Sequence, residues 1–475
     1  MNVVPLVVDL DGTLLRSDLL HESALHLVSS RPADAWRIPV WLLRGKAHLK
    51  RRIAERVALD IDTLPFDERL LSWIAAERQG GRRIVLCSAS DAEYVHQVAD
   101  HLGIFDEVIA SDGVENVSSE QKARRLVERF GRKGFDYAGD SWKDLPVWAA
   151  ARHAVLVSVG SALRRAAARV SHVEVEFEAR RAGLGSWLKA LRLHQWAKNL
   201  LVFLPVLASH RLQWPALGHA LLAFLAFGLC ASSVYVVNDL IDLQSDRRHP
   251  RKRVRPFASG LLSPAAGIAM SALLLVAAFA VGAATLVAAF DIWLGLYFSL
   301  TLFYTLVLKR KILVDALALA ALYTLRVLAG GAATGIWPGF WLLAFSMFLF
   351  LSLAFLKRYS EVADLLDQGQ SSAHGRDYHS SDLPLVEMFG IASGFAAVVV
   401  LALYMNGDSI LALYRHPELV WLTVPILLYW VTRMWVKAHR LEMHDDPVVF
   451  AMGDGLSLLT IGAFVAVLFV ASLAW

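Results

Sequence analysis

From Val237 to Arg247 the chain reads VNDLIDLQSDR, so Asn238, Asp239, Asp242 and Asp246 place four oxygen-bearing side chains close together. Asn238, Asp242 and Asp246 recur at every fourth position, and on a helix they project along one face. Carboxylates this close repel one another unless a cation neutralises them. Hard oxygen ligands suit Mg²⁺, which commonly joins one or two carboxylates to the phosphates of a substrate. The run Asp246-Arg247-Arg248-His249-Pro250, then Arg251, Lys252, Arg253 and Arg255, follows directly. Alone, these residues would anchor the chain at a membrane surface; beside a metal cluster they also suit a diphosphate. The chemistry expected is Mg²⁺-assisted departure of a diphosphate, with Asp242 at its centre, and the plain alternative is a solvated acidic helix end.

A second group lies near the N-terminus. Asp9-Leu10-Asp11-Gly12-Thr13-Leu14 follows one apolar run, Ser88 follows Ile84-Val85-Leu86-Cys87, Lys122 opens a helical pattern, and Gly139-Asp140-Ser141-Trp142-Lys143-Asp144 follows another run. Each stands where a strand ends or a helix starts, which is where parallel sheets bind ligands.

These groups need scaffolds of two kinds. As far as about Ser171, the short runs PLVVDLDG, RRIVLCSAS, DEVIASDG, FDYAGDS and HAVLVSVG end in Gly, Ser or Asp and alternate with helical stretches such as 92–102 and 121–130. That is the rhythm of an α/β domain built on a parallel sheet. Residues 15–80 are helical in pattern and are expected to form a small cap. Its Arg44, Lys46, Lys50, Arg51 and Arg52 read as a solvated face or as a contact with the membrane surface or a phosphorylated headgroup.

An Arg-rich connector (Arg164, Arg165, Arg169, Arg180, Arg181) leads to nine apolar stretches of spanning length, at 196–210, 217–237, 265–287, 292–308, 313–334, 338–356, 385–405, 418–436 and 455–475. At 56% apolar residues the chain exceeds ordinary soluble proteins. The opening Met1-Asn2-Val3-Val4-Pro5 lacks the charged start of a signal peptide, so the N-terminal domain is expected in the cytoplasm. Basic residues then crowd the cytoplasmic loops (247–255, 309–311, Lys357, Arg358, Arg376, Arg433, Lys437, Arg440), against only Arg211 and Arg415 outside. This positive-inside bias supports an inner-membrane protein with its C-terminus outside. The expected domains are 1–170, a basic linker at 171–190, and 191–475. A net charge of +4, with basic residues in short clusters, argues against nucleic acid. The two cysteines, Cys87 and Cys230, allow no disulfide framework. There is room for a homo-oligomer.

The NDxxDxxxD pattern and the basic segment behind it resemble the UbiA superfamily of intramembrane prenyltransferases, over about 190–475. Within it, Arg192-Leu193-His194-Gln195-Trp196-Ala197-Lys198-Asn199, the DRRHPRKRVRP run, Leu325-Arg326-Val327-Leu328-Ala329-Gly330 and Lys357-Arg358-Tyr359-Ser360-Glu361 resemble the decaprenyl-phosphate phosphoribosyltransferase branch. The resemblance implies an all-α nine-helix bundle with Mg²⁺ on Asn238, Asp239, Asp242 and Asp246. It also implies transfer of phosphoribose from phosphoribosyl diphosphate to a polyprenyl phosphate, for cell-envelope glycan synthesis. In that chemistry the metal offsets the charge of the departing diphosphate while a lipid phosphate oxygen attacks the anomeric carbon.

Members that prenylate aromatic acceptors carry a second Asp-rich motif where this chain has LKRYSEVADLLD. Lys357 and Arg358 suit a sugar phosphate better than a second metal, the alternative being simple anchoring of the sixth helix; Glu361 and Asp364 are candidate ligands. Lys198, Asn199, Arg247, Arg253, Arg326 and Tyr359 complete the expected substrate rim. Lys198 is equally suited to snorkel at the interface. Arg326 lies inside a span, where an unpaired guanidinium costs at least about 2.5 kcal/mol. It needs a phosphate, a carboxylate such as Asp239, or a structural ion pair.

The N-terminal motifs together resemble the haloacid dehalogenase superfamily across about 3–160. This implies Asp9 as nucleophile, Asp11 as general acid/base, a second Mg²⁺ among Asp9, Asp140 and Asp144, and Ser88 and Lys122 on the phosphoryl oxygens. Asp11 must lie beyond the strand, where a turn at Gly12 lets it face the phosphate. The fusion suggests consecutive reactions, with the phosphatase removing the 5-phosphate from the transferase product. Two rivals remain: an aromatic or haem-type prenyltransferase using a lipid diphosphate, and a lipid transporter or scaffold with a phosphatase-like domain.

Overall fold

The computed structural model describes residues 4–112, 117–178, 182–367, 378–405, 407, 410, 413–443 and 446–473. Arg180, Arg181 and Arg376 lie outside the described residues. The chain forms two compact units: Met1–Leu191 with Tyr235–Ser271, and Arg192–Val234 with Ala272–Trp475.

In the first unit, β1 (Leu6–Val8), β2 (Ile84–Asp91), β3 (Glu107–Ser111), β4 (Asp136–Gly139), β5 (His153–Val157) and β6 (His172–Phe177) make one sheet in the order β3-β2-β1-β4-β5-β6. All its pairings are parallel, and Val7 stands beside both Val85 and Tyr137. The central strands β1 and β4 are buried throughout, and β1 accordingly reads as a continuous apolar run. β6 lies in the stretch read as linker, past residue 170. It is an edge strand in which exposed and half-buried residues alternate at its start, so it lacks that signature.

The expected cap is present as α1 (Leu19–Ser30), α2 (Arg37–Leu43) and α3 (Lys46–Ala54). Asp18 caps α1 by accepting from the N–H groups of Leu20 and His21. Leu27, Trp41, Leu49, Ile53 and Val57 give the cap a small core of its own. The same unit takes in the end of helix Trp214–Ile241, the helix Leu243–Arg248, the turn Lys252–Val254 and the start of helix Pro264–Thr285. There Val236, Leu240, Leu243, Phe257 and Leu262 pack with Ala190, Trp187 and Leu25.

Among the described residues, eight helices are long and apolar enough to cross a membrane: Trp214–Ile241, Pro264–Thr285, Ala288–Arg310, Val314–Thr334, Phe340–Asp364, Leu383–Tyr404, Pro417–His439 and Gly455–Ser472. The first expected span, 196–210, takes a different form. It is a 3₁₀ stretch, Leu193–Phe203, followed by the short helix Leu204–Ala208. Lys198 and Asn199 turn inward there, and Pro205 opens the short helix. In the second unit Val314–Thr334 is the most buried of the spans. Gly330 lies directly on the backbone of Val202, an approach that any side chain would block.

Candidate functional site

The sheet order sets the ends of β1, β2 and β4 side by side, and the hydrolase-type residues gather there. Asp9 follows β1; its Oδ1 accepts from the Leu10 N–H (2.8 Å), and its Oδ2 pairs with Lys122 Nζ (2.9 Å). Gly12 has a φ of +81°, and the space a side chain would take holds the Asp140 carboxylate. Thr13 Oγ1 donates to Asp140 (3.1 Å). Tyr137, which the sequence reading passed over, joins the two sides of the site. Its hydroxyl accepts from Lys122 (2.9 Å) and donates to Asp144 (2.9 Å). Asp144 also accepts from the Asp140 and Ser141 N–H groups.

Asp11 accepts from the Leu19 N–H (2.8 Å), Ser90 Oγ (2.6 Å) and Ser88 Oγ (3.1 Å). Ser88 therefore bonds to a catalytic candidate, and Ser90 is a second hydroxyl that the reading missed. Lys50 also departs from expectation. It is half-buried, with Nζ on the Ala89 carbonyl (2.5 Å), and it lines a small pocket with Leu19, Ser90 and Tyr94.

Oxygens of Asp9, Asp140 and Asp144 lie within 4.8 Å of one another. Burial pushes the Asp9 carboxyl up to about 6 even though Lys122 opposes it, with Asp144 and Asp11 adding to the rise. Burial, then Asp9 and Asp144, lift Asp140 well above the usual carboxylate range. A buried cluster of hard oxygens this short of positive charge fits Mg²⁺.

In the same unit, the Asp242 N–H donates to the Asn238 carbonyl (2.9 Å) and the Asp246 N–H to that of Asp242 (2.8 Å). Helical spacing therefore continues through the motif, although Asp242 itself bends at φ −93° and ψ 12°. Asp239 and Asp246 share the Arg255 guanidinium at 3.1 and 2.6 Å. The motif was expected to hold Mg²⁺, but among the described residues its carboxylate oxygens do not gather as those of Asp9, Asp140 and Asp144 do, and Arg255 already supplies positive charge to Asp239 and Asp246. Burial raises the Asp246 carboxyl, and Arg255 opposes this. Arg253 is exposed on its turn. Arg247 departs from its expected phosphate role: it is buried, held by both oxygens of Glu22 and by the Ala258 carbonyl.

In the second unit, Lys198 and Lys357 converge on one carboxylate, Asp446, at 2.6 and 3.0 Å. Burial alone would raise Asp446, but the two ammonium groups hold it well below the usual carboxylate range. No sequence pattern marked this aspartate, which stands in a loop and caps helix Pro447–Gly453. Arg326, for which a substrate phosphate, a carboxylate or a structural ion pair was open, is held by Asn199 Oδ1 (2.9 Å), Tyr297 OH (2.8 Å) and the Leu322 carbonyl (2.6 Å). Its guanidinium also lies over the Tyr297 and Tyr323 rings.

Arg358 is not a surface contact. With its side chain 1% exposed, it pairs with Asp315 (0% exposed) at 2.8 Å and also with Glu361. Tyr378 donates to the same Asp315 (2.5 Å). Tyr359 is buried and hydrogen-bonds His439 (3.2 Å). Removing one side of such a buried pair costs about 3–5 kcal/mol. Arg358→Met is therefore expected to lower the thermal unfolding midpoint in detergent sharply, and adding Asp315→Asn should recover part of the loss. An unchanged midpoint in Arg358→Met would show the pair to be dispensable.

Comparison with known proteins agrees with both halves of this description. The UbiA prenyltransferase family matches residues 199–450, and the haloacid dehalogenase-like hydrolase family matches residues 6–149. The uncharacterized protein y4nM of Sinorhizobium fredii is 37% identical over 474 residues, covering 98% of this chain and 90% of that protein. The nodulation protein NoeC of Azorhizobium caulinodans is 37% identical over 279 residues, 58% of this chain and 90% of that protein. The decaprenyl-phosphate phosphoribosyltransferase of Mycobacterium tuberculosis is 35% identical over 180 residues, 37% of this chain and 59% of that enzyme. The chain belongs to the UbiA prenyltransferase family, as an integral membrane enzyme that carries a haloacid dehalogenase-like hydrolase domain at its N-terminus.

Proposed function

We propose that the membrane domain transfers 5-phosphoribose from phosphoribosyl diphosphate to a polyprenyl phosphate, and that the hydrolase domain then removes the 5-phosphate. The observation that carries this reading is the meeting of Lys198 and Lys357 on Asp446. Two ammonium groups meet on one anion here, and a substrate phosphate would take the place that the Asp446 carboxylate now holds between them. The similarity to the mycobacterial enzyme, partial as it is, supports the same choice.

In this proposal a lipid phosphate oxygen forms the new bond to the ribose anomeric carbon while the bond from that carbon to diphosphate breaks. The lipid phosphate is already an anion, so no proton need be removed. Asn238, Asp239, Asp242 and Asp246 would hold Mg²⁺, which supplies charge compensation for the leaving diphosphate. Arg253 is exposed, and among the described residues it has no carboxylate partner of the kind Arg247 has in Glu22.

In the hydrolase domain, Asp9 attacks the phosphorus of the 5-phosphate ester and the bond to the sugar oxygen breaks. Asp11 gives that oxygen its proton, then takes one from the water that releases phosphate from Asp9. Lys122 holds Asp9 in place, and Asp140 and Asp144 complete the set for Mg²⁺.

The nine-crossing topology with a cytoplasmic N-terminus belongs to this proposal too. Met1–Leu191 and Tyr235–Ser271 form one unit, which supports placing the hydrolase domain and the loop after helix Trp214–Ile241 on one side of the membrane. The chain between them must go out and return. Helix Trp214–Ile241 provides one crossing. The eleven 3₁₀ residues and five α-helical residues from Leu193 to Ala208 rise together by about 30 Å, enough for the other.

The test is incubation of the purified protein with phosphoribosyl diphosphate labelled in the ribose, polyprenyl phosphate and Mg²⁺. Label entering the lipid phase is the expected result. Label that stays aqueous, while a lipid diphosphate prenylates an aromatic acceptor, would replace this reading with the aromatic one.

A further inference from the structure

The charge pair between Glu22 of α1 and Arg247 belongs to none of the catalytic groups, yet it is among the most completely buried in the chain. Both residues lie in the first unit. Two guanidinium nitrogens reach both carboxylate oxygens, at 3.1 and 2.6 Å, with the side chains 5% and 1% exposed. Ser17 Oγ donates to the same carboxylate (2.5 Å). The next residue, Arg248, pairs with Asp60 at 2.7 Å. Gly260, at φ +69°, lies against the side chains of Arg16 and Pro65. A buried ion pair contributes little net stability compared with an apolar pair of the same volume, but it enforces one register between the elements that carry it.

Each end of this pair leads to reactive groups. Arg247 directly follows Asp246, whose carboxylate shares Arg255 with Asp239. On the other side, α1 begins three residues before Glu22, and its first N–H, from Leu19, donates to Asp11 Oδ1. A single helical turn thus separates the contact with the Asp-rich loop from the contact with the hydrolase acid/base.

We infer that Glu22 is a positioning residue that holds the Leu19 N–H on Asp11 and, through Arg247, couples that contact to the Asp-rich loop of the transferase. The inference rests on the hydrolase site alone and is independent of which group the membrane domain transfers. A residue within the segment matched by the UbiA family thereby sets the rate of phosphoester hydrolysis some 225 positions away in sequence.

The experiment measures p-nitrophenyl phosphate hydrolysis by the full-length protein in detergent with Mg²⁺. Glu22→Gln and Arg247→Met are each expected to lower kcat at least about fivefold with KM within about twofold, because the probe does not touch the pair. The double variant should fall no further than either single one. The reversed pair, Glu22→Arg with Arg247→Glu, should regain at least half of the lost kcat. If Glu22→Gln fails to fold, Arg247→Lys, which keeps the charge and loses the two-pronged contact, is expected to act in the same direction. A wild-type kcat in either Arg247 variant, or single effects that multiply in the double variant, would overturn the inference.

Discussion

Full-length Asp9→Asn protein is expected to load labelled pentose onto lipid as well as the wild type does, but to stop at the 5-phosphorylated species. An amide cannot form the acyl-phosphate, so hydrolysis should fall on the order of 10³–10⁶-fold, as when other nucleophiles are removed. Fold loss is not expected. Asparagine keeps the shape of Asp9 and its bond from the Leu10 N–H, and it relieves a carboxyl that burial and Asp144 already hold near 6. Lipid extracts analysed by mass spectrometry, with and without the substitution, check this. If Asp9→Asn gives the same dephosphorylated lipid as the wild type, the hydrolase acts on some other phosphoester and the consecutive scheme fails.

The second large effect belongs to Asp242→Ala, expected to reduce transfer by about 10²–10³-fold or more while leaving p-nitrophenyl phosphate hydrolysis close to normal. Asp242 stands at the bend between helices Trp214–Ile241 and Leu243–Arg248, and its backbone bonds to Asn238 and Asp246 do not involve the side chain. Alanine should therefore preserve the motif's path and remove one carboxylate from it. Neighbouring Asp239 and Asp246 keep Arg255 as a partner. Rapid label transfer by a folded Asp242→Ala protein would remove this motif from the chemistry.

How far the site could be read in advance depended on how local its signals are. Asp9, Asp140 and Asp144 come together because each follows a buried apolar strand, and parallel strands deliver their carboxyl ends to one edge. Asn238, Asp242 and Asp246 share a face because four-residue spacing is itself the helical period. What local pattern does not encode is pairing across long separations. Arg247 meets Glu22 225 positions away, and Lys198 meets Asp446 248 positions away. Arg358 was read as a sugar-phosphate contact or a cytoplasmic anchor, and its pair is Asp315, 43 positions away in sequence and itself bonded by Tyr378. Arg326 was hard to read for a different reason. A guanidinium inside a span was expected to need a phosphate or a carboxylate, and the partners it has within the chain are an amide, a phenol, a backbone carbonyl and two aromatic rings that no local pattern announces. β6 escaped because an edge strand with alternating polar residues has no continuous apolar run.

The two family matches, 6–149 and 199–450, invite cutting the chain near residue 190 and producing each half alone. The packing of Tyr235–Ser271 argues that neither product would be whole. A membrane half beginning after the cut would uncover Val236, Leu240, Leu243, Phe257 and Leu262, which now pack on Ala190, Trp187 and Leu25. It would also strand the Arg247 charge without Glu22. The released hydrolase would expose the other side of the same apolar seam, an adhesive patch. Limited proteolysis near residue 190 should accordingly leave the two pieces associated in detergent until denaturant separates them, because the first unit draws on both sides of the cut.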